Sequence, residues 1–273
     1  MELSLIHSIL LTISLSGLAS GLIAGLFGVG GGIILVPAIA FTLEYVGYNP
    51  LITMHLGVAT SLAVIVPTSI SSAIAHHRKG MVDYIIIYRL WPSIAIGAII
   101  GAFSAQIFSG DTLRILFSII AIITSINMMQ KLQFVFGSEM PSSKIFNSAS
   151  GSVIGLLSSM IGIGGGAISI PLMNFFSVPH HRTTGTASAL GLVIAFPAAV
   201  VFALADTSNL NLPQWSLGMI SLPVFFIFIP LTIIGAQIGA KLANMLNELF
   251  LRRIFSIFIL LMAIRMIYEV INR

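Results

Sequence analysis

The chain contains no cysteine and few charged residues. Without a thiol, disulfide bonds, iron–sulfur clusters and cysteine-based catalysis are excluded. Charged residues make up 7% of the 273 positions, compared with about 25% in an ordinary soluble domain. No long polar stretch is present to form a soluble enzyme domain, so the function must lie between apolar segments. The net charge of +4 is scattered over several connections, and we expect no nucleic-acid partner.

The remaining sequence is strongly apolar, with 57% hydrophobic residues and a mean hydropathy of +1.08. About 20 apolar residues cross a hydrocarbon core of ~30 Å as a helix. Runs of this kind begin near Leu3, Leu51, Tyr84, Leu113, Ile145, Thr183 and Leu217, and a shorter one begins at Ile254. The composition therefore predicts an all-α polytopic membrane protein, surrounded by the lipid bilayer.

Two glycine-rich elements repeat along the chain. Gly28–Pro37, with the sequence GVGGGIILVP, returns 134 positions later as Gly162–Pro171, GIGGGAISIP. A second motif, Gly57–Leu62 (GVATSL), pairs with Gly185–Leu190 (GTASAL) at an offset of 128. This pattern predicts a first membrane repeat over residues 1–132, a cytoplasmic linker over 133–144 and a second repeat over 145–273.

Basic residues predict how the repeats are oriented, because lysine and arginine concentrate on the cytoplasmic side. They cluster at Arg78/Lys79, Lys131/Lys144, Arg182 and Lys241/Arg252/Arg253. If each glycine-broken segment is a hairpin, about three spanning helices follow it in each half, and the two repeats are inverted. If each is a single kinked span, every half has four crossings and the inversion fails. We favour the inverted repeats.

The glycine elements predict helix breaks that bind an anion. A break at membrane depth persists only where protein or a water-filled cavity surrounds it. A helix that starts after the break offers free N–H groups and a positive dipole end, both suited to an anion. Two such breaks in inverted repeats are typical of secondary transporters. The candidate binding residues are Gly28, Gly30, Gly31, Gly32, Gly162, Gly164, Gly165 and Gly166.

Close packing is the alternative role for these glycines, as in small-xxx-small contacts. Gly97, Gly101, Gly235 and Gly239 have that spacing, whereas three consecutive glycines do not. The second element also fits the dinucleotide pattern G-x-G-x-x-G/A, but it follows an apolar segment and no βαβ context. We therefore predict no nucleotide cofactor.

Hydroxyl side chains in the second motif are further candidates, since a hydroxyl can donate to an oxyanion without carrying a charge. They are Thr60, Ser61, Thr184, Thr186 and Ser188. Each could instead bond a carbonyl one turn earlier in its own helix. His55 could bind the anion or carry a proton, although an interfacial position explains it as well.

The other ionisable residues predict no metal site and leave the coupling ion, proton or sodium, open. His76–His77 and His180–His181 are adjacent pairs expected on cytoplasmic loops, and neighbours in sequence do not point at one metal. Acidic residues lie near the ends of apolar segments, so no buried acid relay is visible. Arg114 is likewise expected near a segment end.

The paired G-x-G-G-G-x-x-x-x-P elements, followed by Ala59–Leu62, resemble the sulfite exporter TauE/SafE family of integral membrane transporters. The resemblance covers nearly the whole chain. It implies transport of a small sulfur-containing or organic anion, such as sulfite or sulfoacetate, across the cytoplasmic membrane, rather than an enzymatic activity. A passive anion channel using the same helix ends is the alternative. An intramembrane hydrolase is disfavoured, because no nucleophile motif accompanies His55.

Overall fold

The computed structural model describes residues 2–27, 31–129, 137, 140–208, 210, 212–242 and 248–272. These residues form ten helices: α1 (Glu2–Phe27), α2 (Gly32–Tyr45), α3 (Pro50–His77), α4 (Tyr84–Ile107), α5 (Gly110–Met129), α6 (Lys144–Met160), α7 (Gly166–Phe175), α8 (His180–Ala203), α9 (Leu222–Leu242) and α10 (Glu248–Ile271). Between α8 and α9, β1 (Ser216–Leu217) pairs with β2 (Ile220–Ser221) in antiparallel orientation.

Six helices of the described chain are long and apolar enough to cross a membrane: α3, α4, α5, α8, α9 and α10. In contrast, α2 and α7 have 14 and 10 residues. At ~1.5 Å per residue both are shorter than the ~30 Å hydrocarbon core. Each half therefore has a helical pair around its glycine break, followed by three spanning helices. This confirms the predicted all-α polytopic membrane protein.

Local sequence signals set where several helices begin. The Asn49 side chain accepts a hydrogen bond from the Leu51 amide at 3.0 Å, and Pro50 occupies the first turn of α3. Asp83 caps α4 by accepting from two amides of its first turn, and Ser143 caps α6. Such caps satisfy N–H groups that the helix itself leaves unpaired. They explain where α3, α4 and α6 begin.

The packing of the helices is preserved when the two halves are exchanged. α1 packs on α9, while α6, the counterpart of α1, packs on α4, the counterpart of α9. α3 packs on α8 and α5 packs on α10, so these two pairs map onto themselves. The main contacts between helices are therefore the same when each helix is replaced by its counterpart.

Glycines allow the close approach of α4 to α6 and of α9 to α1. A Cβ atom at Gly97 or Gly101 would collide with backbone carbonyls of α6. A Cβ at Gly235 or Gly239 would meet the backbone of α1 in the same way. The packing role predicted for these four glycines is confirmed.

Counterpart helices at the centre of the molecule run in opposite directions. Along the α3–α8 contact, Ser69 lies beside Gly191 and Ser72 bonds to Ser188, so residue numbers rise on one helix as they fall on the other. The α5–α10 contact shows the same relation. There Arg114 bonds to Glu269 and Ser125 bonds to Ser256. α3 and α8 are the most buried of the six spans and form the centre on which the other helices pack.

Candidate functional site

The first glycine break ends at the start of α2. Gly31 caps this helix with a φ of 72°, in the left-handed region. Its carbonyl accepts hydrogen bonds from two amides in the first turn of α2, at 3.1 and 3.2 Å, and from Ser20 Oγ of α1 at 2.9 Å. A Cβ at Gly31 would collide with Ser20. The position therefore requires glycine both for its backbone conformation and for space.

The second glycine break lies between α6 and α7. Gly162 has a φ of 69°, whereas Gly165, which caps α7, has a φ of −55°. Ser169 donates both its backbone N–H, at 3.1 Å, and its hydroxyl to the Gly165 carbonyl. Gly164 is buried within the break, and Gly166 is the first residue of α7. The start of α7 is thus held by a side chain of α7 itself.

The two breaks meet in the centre of the protein. Ser61 Oγ of α3 donates a hydrogen bond to the Gly162 carbonyl at 2.9 Å. A Cβ on Gly32 would collide with the same carbonyl oxygen. A Cβ on Gly162 would lie 2.8 Å from both Val36 Cγ2 and Val58 Cα. The fold therefore brings together three of the predicted site residues that lie far apart in sequence.

Thr60 and Thr186 make equivalent hydrogen bonds in the two halves. Thr60 Oγ1 of α3 accepts from the Ser221 amide, which precedes α9, at 3.0 Å. Thr186 Oγ1 of α8 accepts from the Asp83 amide, which precedes α4, at 2.9 Å. Because α3 and α4 are the counterparts of α8 and α9, each threonine tethers the connection that leads into a spanning helix. By this role Thr186 corresponds to Thr60, although the uniform offset of 128 pairs Thr60 with Ser188.

A narrow pocket, too small to admit a water molecule, lies between α1, α3 and α8; we call it the hydroxyl cavity. It is lined by Ala24, Thr68, Ser69, Ser72 and Ser188. Ser188 Oγ donates to the Thr184 carbonyl at 3.0 Å and lies 3.0 Å from Ser72 Oγ. Since Ser188 has one hydroxyl proton, Ser72 is the donor between these two serines. Four of the five lining residues therefore carry a hydroxyl group, and none of the five is charged.

Ser69 is the unusual member of this wall. Its side chain is 1% exposed, and its Oγ has no hydrogen-bond partner among the described residues. A Cβ placed on Gly191 would lie 2.8 Å from Ser69 Oγ and 3.7 Å from the Gly165 nitrogen. The missing side chain of Gly191 thus leaves a hydroxyl and an amide at the start of α7 next to the same small space. A buried polar atom without a partner costs about 1–3 kcal/mol, which a bound ligand would offset.

Other predicted site residues lie away from this cavity or outside the described residues. His55 is half-buried near the start of α3, with Nδ1 3.1 Å from the Leu51 carbonyl and Nε2 2.9 Å from the Phe108 carbonyl. It holds the turn between α4 and α5. Thr184 is buried and contributes the carbonyl that Ser188 bonds. Gly28 and Gly30 lie outside the described residues.

The sequence analysis missed Ser69 and Ser72. Their signal is hydroxyl residues three apart on α3, in line with Thr68 and Ser61, along one face of an otherwise apolar span. The expectation that His76 lies on a loop is wrong, since His76 is in the last turn of α3 and 1% exposed. Within the described part of the chain, no group of three or more His, Cys, Asp or Glu residues could hold a metal ion.

An ion-pair network is buried at the opposite end of α3. The Arg114 side chain is 0% exposed and pairs with the Glu44 carboxylate and, at 2.9 Å, with Glu269. It also donates to the Pro50 carbonyl at 3.0 Å and to Thr53 Oγ1 at 3.1 Å. This guanidinium joins α2, α3, α5 and α10.

Known proteins with similar sequences are described as probable membrane transporters. A probable membrane transporter protein of Haemophilus influenzae is 28% identical over 255 residues, covering 92% of this chain and 96% of that protein. The probable membrane transporter protein YunE of Bacillus subtilis is 26% identical over 276 residues, with coverage of 93% and 95%. A probable membrane transporter protein of Xylella fastidiosa is 26% identical over 275 residues, covering 97% of both chains. No solved structure matches the chain.

The model of one protein family, described as sulfite exporter TauE/SafE, matches residues 13–266. This range contains both glycine breaks and all six spanning segments except the last residues of α10. The match agrees with the resemblance seen in the paired glycine elements and with the six spanning helices. The chain therefore belongs to the sulfite exporter TauE/SafE family of multi-pass membrane transporters.

Proposed function

We propose that this protein is a secondary transporter that moves a small sulfur-containing or organic anion, such as sulfite or sulfoacetate, across the cytoplasmic membrane. The site would be the hydroxyl cavity together with the start of α7. The observation that carries the proposal is that Ser69 Oγ and the Gly165 nitrogen both lie within 4 Å of the space that a Gly191 side chain would fill. A buried, unpartnered hydroxyl next to a helix N-terminus is an arrangement that an oxyanion satisfies.

A neutral site of this kind suits an anion that must also leave again. Hydroxyl and amide dipoles stabilise one negative charge without the strong binding of a buried lysine or arginine. The five residues that line the cavity are all uncharged. The glycines contribute by letting backbone N–H groups approach the ligand closely.

Alternating access of two inverted repeats, residues 1–132 and 145–273, is the mechanism we propose. It is supported by the antiparallel contact of α3 with its counterpart α8 and by the helix packing that survives exchange of the halves. The cavity is too narrow to admit a water molecule, so an anion can enter only after helices move. The paired tethers of Thr60 and Thr186 give each half one contact that such a movement could release.

Ligand binding is tested by the thermal stability of the purified protein with sulfite, thiosulfate, sulfoacetate, ethanesulfonate, sulfate, acetate and neutral analogues. A ligand at 100 times its Kd stabilises the folded state by about 2.7 kcal/mol. We expect one sulfur oxyanion or sulfonate to stabilise the wild type and Ser104→Ala, and Ser69→Ala to lose most of this response. Ser104 is the matched control because its hydroxyl bonds only within α4, to the Ile100 carbonyl. No stabilisation by any anion would contradict the proposed site.

Counterflow in proteoliposomes then separates a carrier from a channel. A carrier accumulates labelled anion against unlabelled anion inside the vesicle, whereas a channel does not. Saturable counterflow that Ser69→Ala weakens at least tenfold would support the proposal. Anion flux without counterflow would favour the passive channel.

A further inference from the structure

His76 is a buried ionisable side chain that does not itself line the hydroxyl cavity. It lies in the last turn of α3 with 1% exposure. Its Nε2 atom is 3.2 Å from the Gly25 carbonyl of α1. Its other ring nitrogen, Nδ1, is buried and has no partner among the described residues. Because an ionisable group within a spanning helix is costly, such residues mark ion and proton pathways in membrane proteins.

The hydrogen bond fixes the form of the imidazole. A carbonyl oxygen can only accept, so Nε2 carries a proton and donates to Gly25. In the neutral ring Nδ1 then bears a lone pair with no donor facing it. This nitrogen can therefore take up one proton without breaking an existing hydrogen bond.

The position of His76 links it to the cavity. Ser69, Ser72 and His76 are three and four residues apart, so they lie along one face of α3. Side chains of a helix lean toward its N-terminus, which directs His76 toward Ser72. On the α1 side, Ala24 lines the cavity and its neighbour Gly25 receives the histidine bond. The imidazole is thus one helical turn from the proposed anion.

The described charged side chains around the end of α3 are mostly cationic. Among the described side chains they are Arg78 and Lys79 in the turn after α3, Lys241 on α9, and the pair of Asp83, before α4, with Arg182 on α8. The described side chains of α1, residues 13–27, include no charge. An anion in the cavity would favour a positive charge on the imidazole, because opposite charges attract strongly where water is excluded.

We propose that His76 takes up one proton at Nδ1 when the anion enters the cavity and releases it when the anion leaves. This coupling rests on the proposed transport of an anion through that cavity. The proton comes from the water on the side where the anion enters and returns to the water on the other side. For a singly charged anion the bound pair is neutral, so transport responds to a pH gradient and not to the membrane potential. Affinity for the anion rises as the pH falls.

The test compares wild-type protein, His76→Gln and His77→Gln in proteoliposomes with labelled ethanesulfonate, a monoanion that takes up no proton near neutral pH. Glutamine retains an N–H that can bond the Gly25 carbonyl but cannot carry the proton. His77 is the matched control, because it is the exposed neighbour and bonds Tyr84 instead. We expect an inward proton gradient to drive at least fivefold accumulation in the wild type and His77→Gln, and none in His76→Gln. Counterflow should persist in all three.

Equal gradient-driven accumulation in His76→Gln would overturn the role of His76, as would counterflow without gradient-driven accumulation in the wild type. No counterflow in the wild type would instead overturn the proposed transport and this coupling together. If His76→Gln fails to fold, proton uptake by the wild type in detergent decides the question. Ethanesulfonate should then draw up to one proton per protein from a weakly buffered solution, and no uptake would overturn the inference.

Discussion

The two glycine breaks share a sequence motif but stabilise their helices differently. At the first break, Gly31 is left-handed and its carbonyl is held by Ser20 of the preceding helix α1. At the second, Gly165 is right-handed and its carbonyl is held by Ser169 of α7 itself. A movement of α1 therefore disturbs the start of α2 directly, whereas the start of α7 is self-contained. Repetition of the motif determines that a break forms, and the neighbouring helices determine how it is supported.

The largest effect is expected from a bulky side chain at either break. Gly31→Leu would collide with Ser20, and Gly165→Leu would fill the space next to Gly191. We expect both variants to insert into the membrane and to show no transport above background, as measured by counterflow. Normal transport by both variants would contradict the proposed binding site at the glycine breaks.

Alanine at the same positions separates backbone strain from crowding. Gly31→Ala combines a left-handed residue, costing about 1–2 kcal/mol, with a collision that adds about 1–3 kcal/mol. In Gly165→Ala the backbone is allowed, but the new Cβ would lie 2.9 Å from the Gly191 nitrogen, so crowding alone costs about 1–3 kcal/mol.

We expect Gly31→Ala to lower the melting temperature more, and Gly165→Ala to lose more of the anion-induced stabilisation. Gly80→Ala is the control for strain alone, because Gly80 has a φ of 67° and no atom within 4 Å of a Cβ. If Gly80→Ala and Gly31→Ala are equally destabilised, the contact with Ser20 has no energetic weight.

The hydrogen bonds of Thr60 and Thr186 should contribute unequally to the stability of the protein. Thr60→Val leaves the Ser221 amide without its hydrogen-bond acceptor. Because Ser221 is only 1% exposed, this loss costs about 1–3 kcal/mol. Thr186→Val leaves the amide of half-buried Asp83, which water can reach, and we expect less than about 1 kcal/mol. Denaturant unfolding in detergent measures both losses, and a larger loss in Thr186→Val would contradict burial of the amide as the cause of the difference.

The smallest effects are expected at the two supporting serines. Ser20→Ala removes the bond between α1 and Gly31, at a cost of about 1 kcal/mol. Ser169→Ala leaves the backbone bond of Ser169 to Gly165 in place, so the loss should be about 0.5 kcal/mol or less. The same unfolding measurement compares them, and a larger loss in Ser169→Ala would reverse the proposed difference between the breaks.

Sequence predicted the parts of this protein that depend on local patterns. The glycine elements located both breaks, and hydropathy gave the three spans of each half, because both signals act within one segment. The role of Ser69 was not predictable, since a serine in a helix usually bonds its own backbone. Only the structure shows that Ser69 Oγ has no partner among the described residues and lies next to Gly191. The equivalent roles of Thr60 and Thr186 and the burial of His76 depend on how the helices pack. No local sequence pattern contains that information.

Arg114 has a mechanical consequence for the whole molecule. Its guanidinium bonds Glu44 on α2, the first turn of α3 and Glu269 on α10 while it belongs to α5. Separating one partner from a buried ion pair costs about 3–5 kcal/mol, so these four helices are expected to move as a rigid block at that end. Relative movement of helices is then expected at the contacts of α1 with α9 and of α4 with α6, because glycines there leave backbone packed directly on backbone.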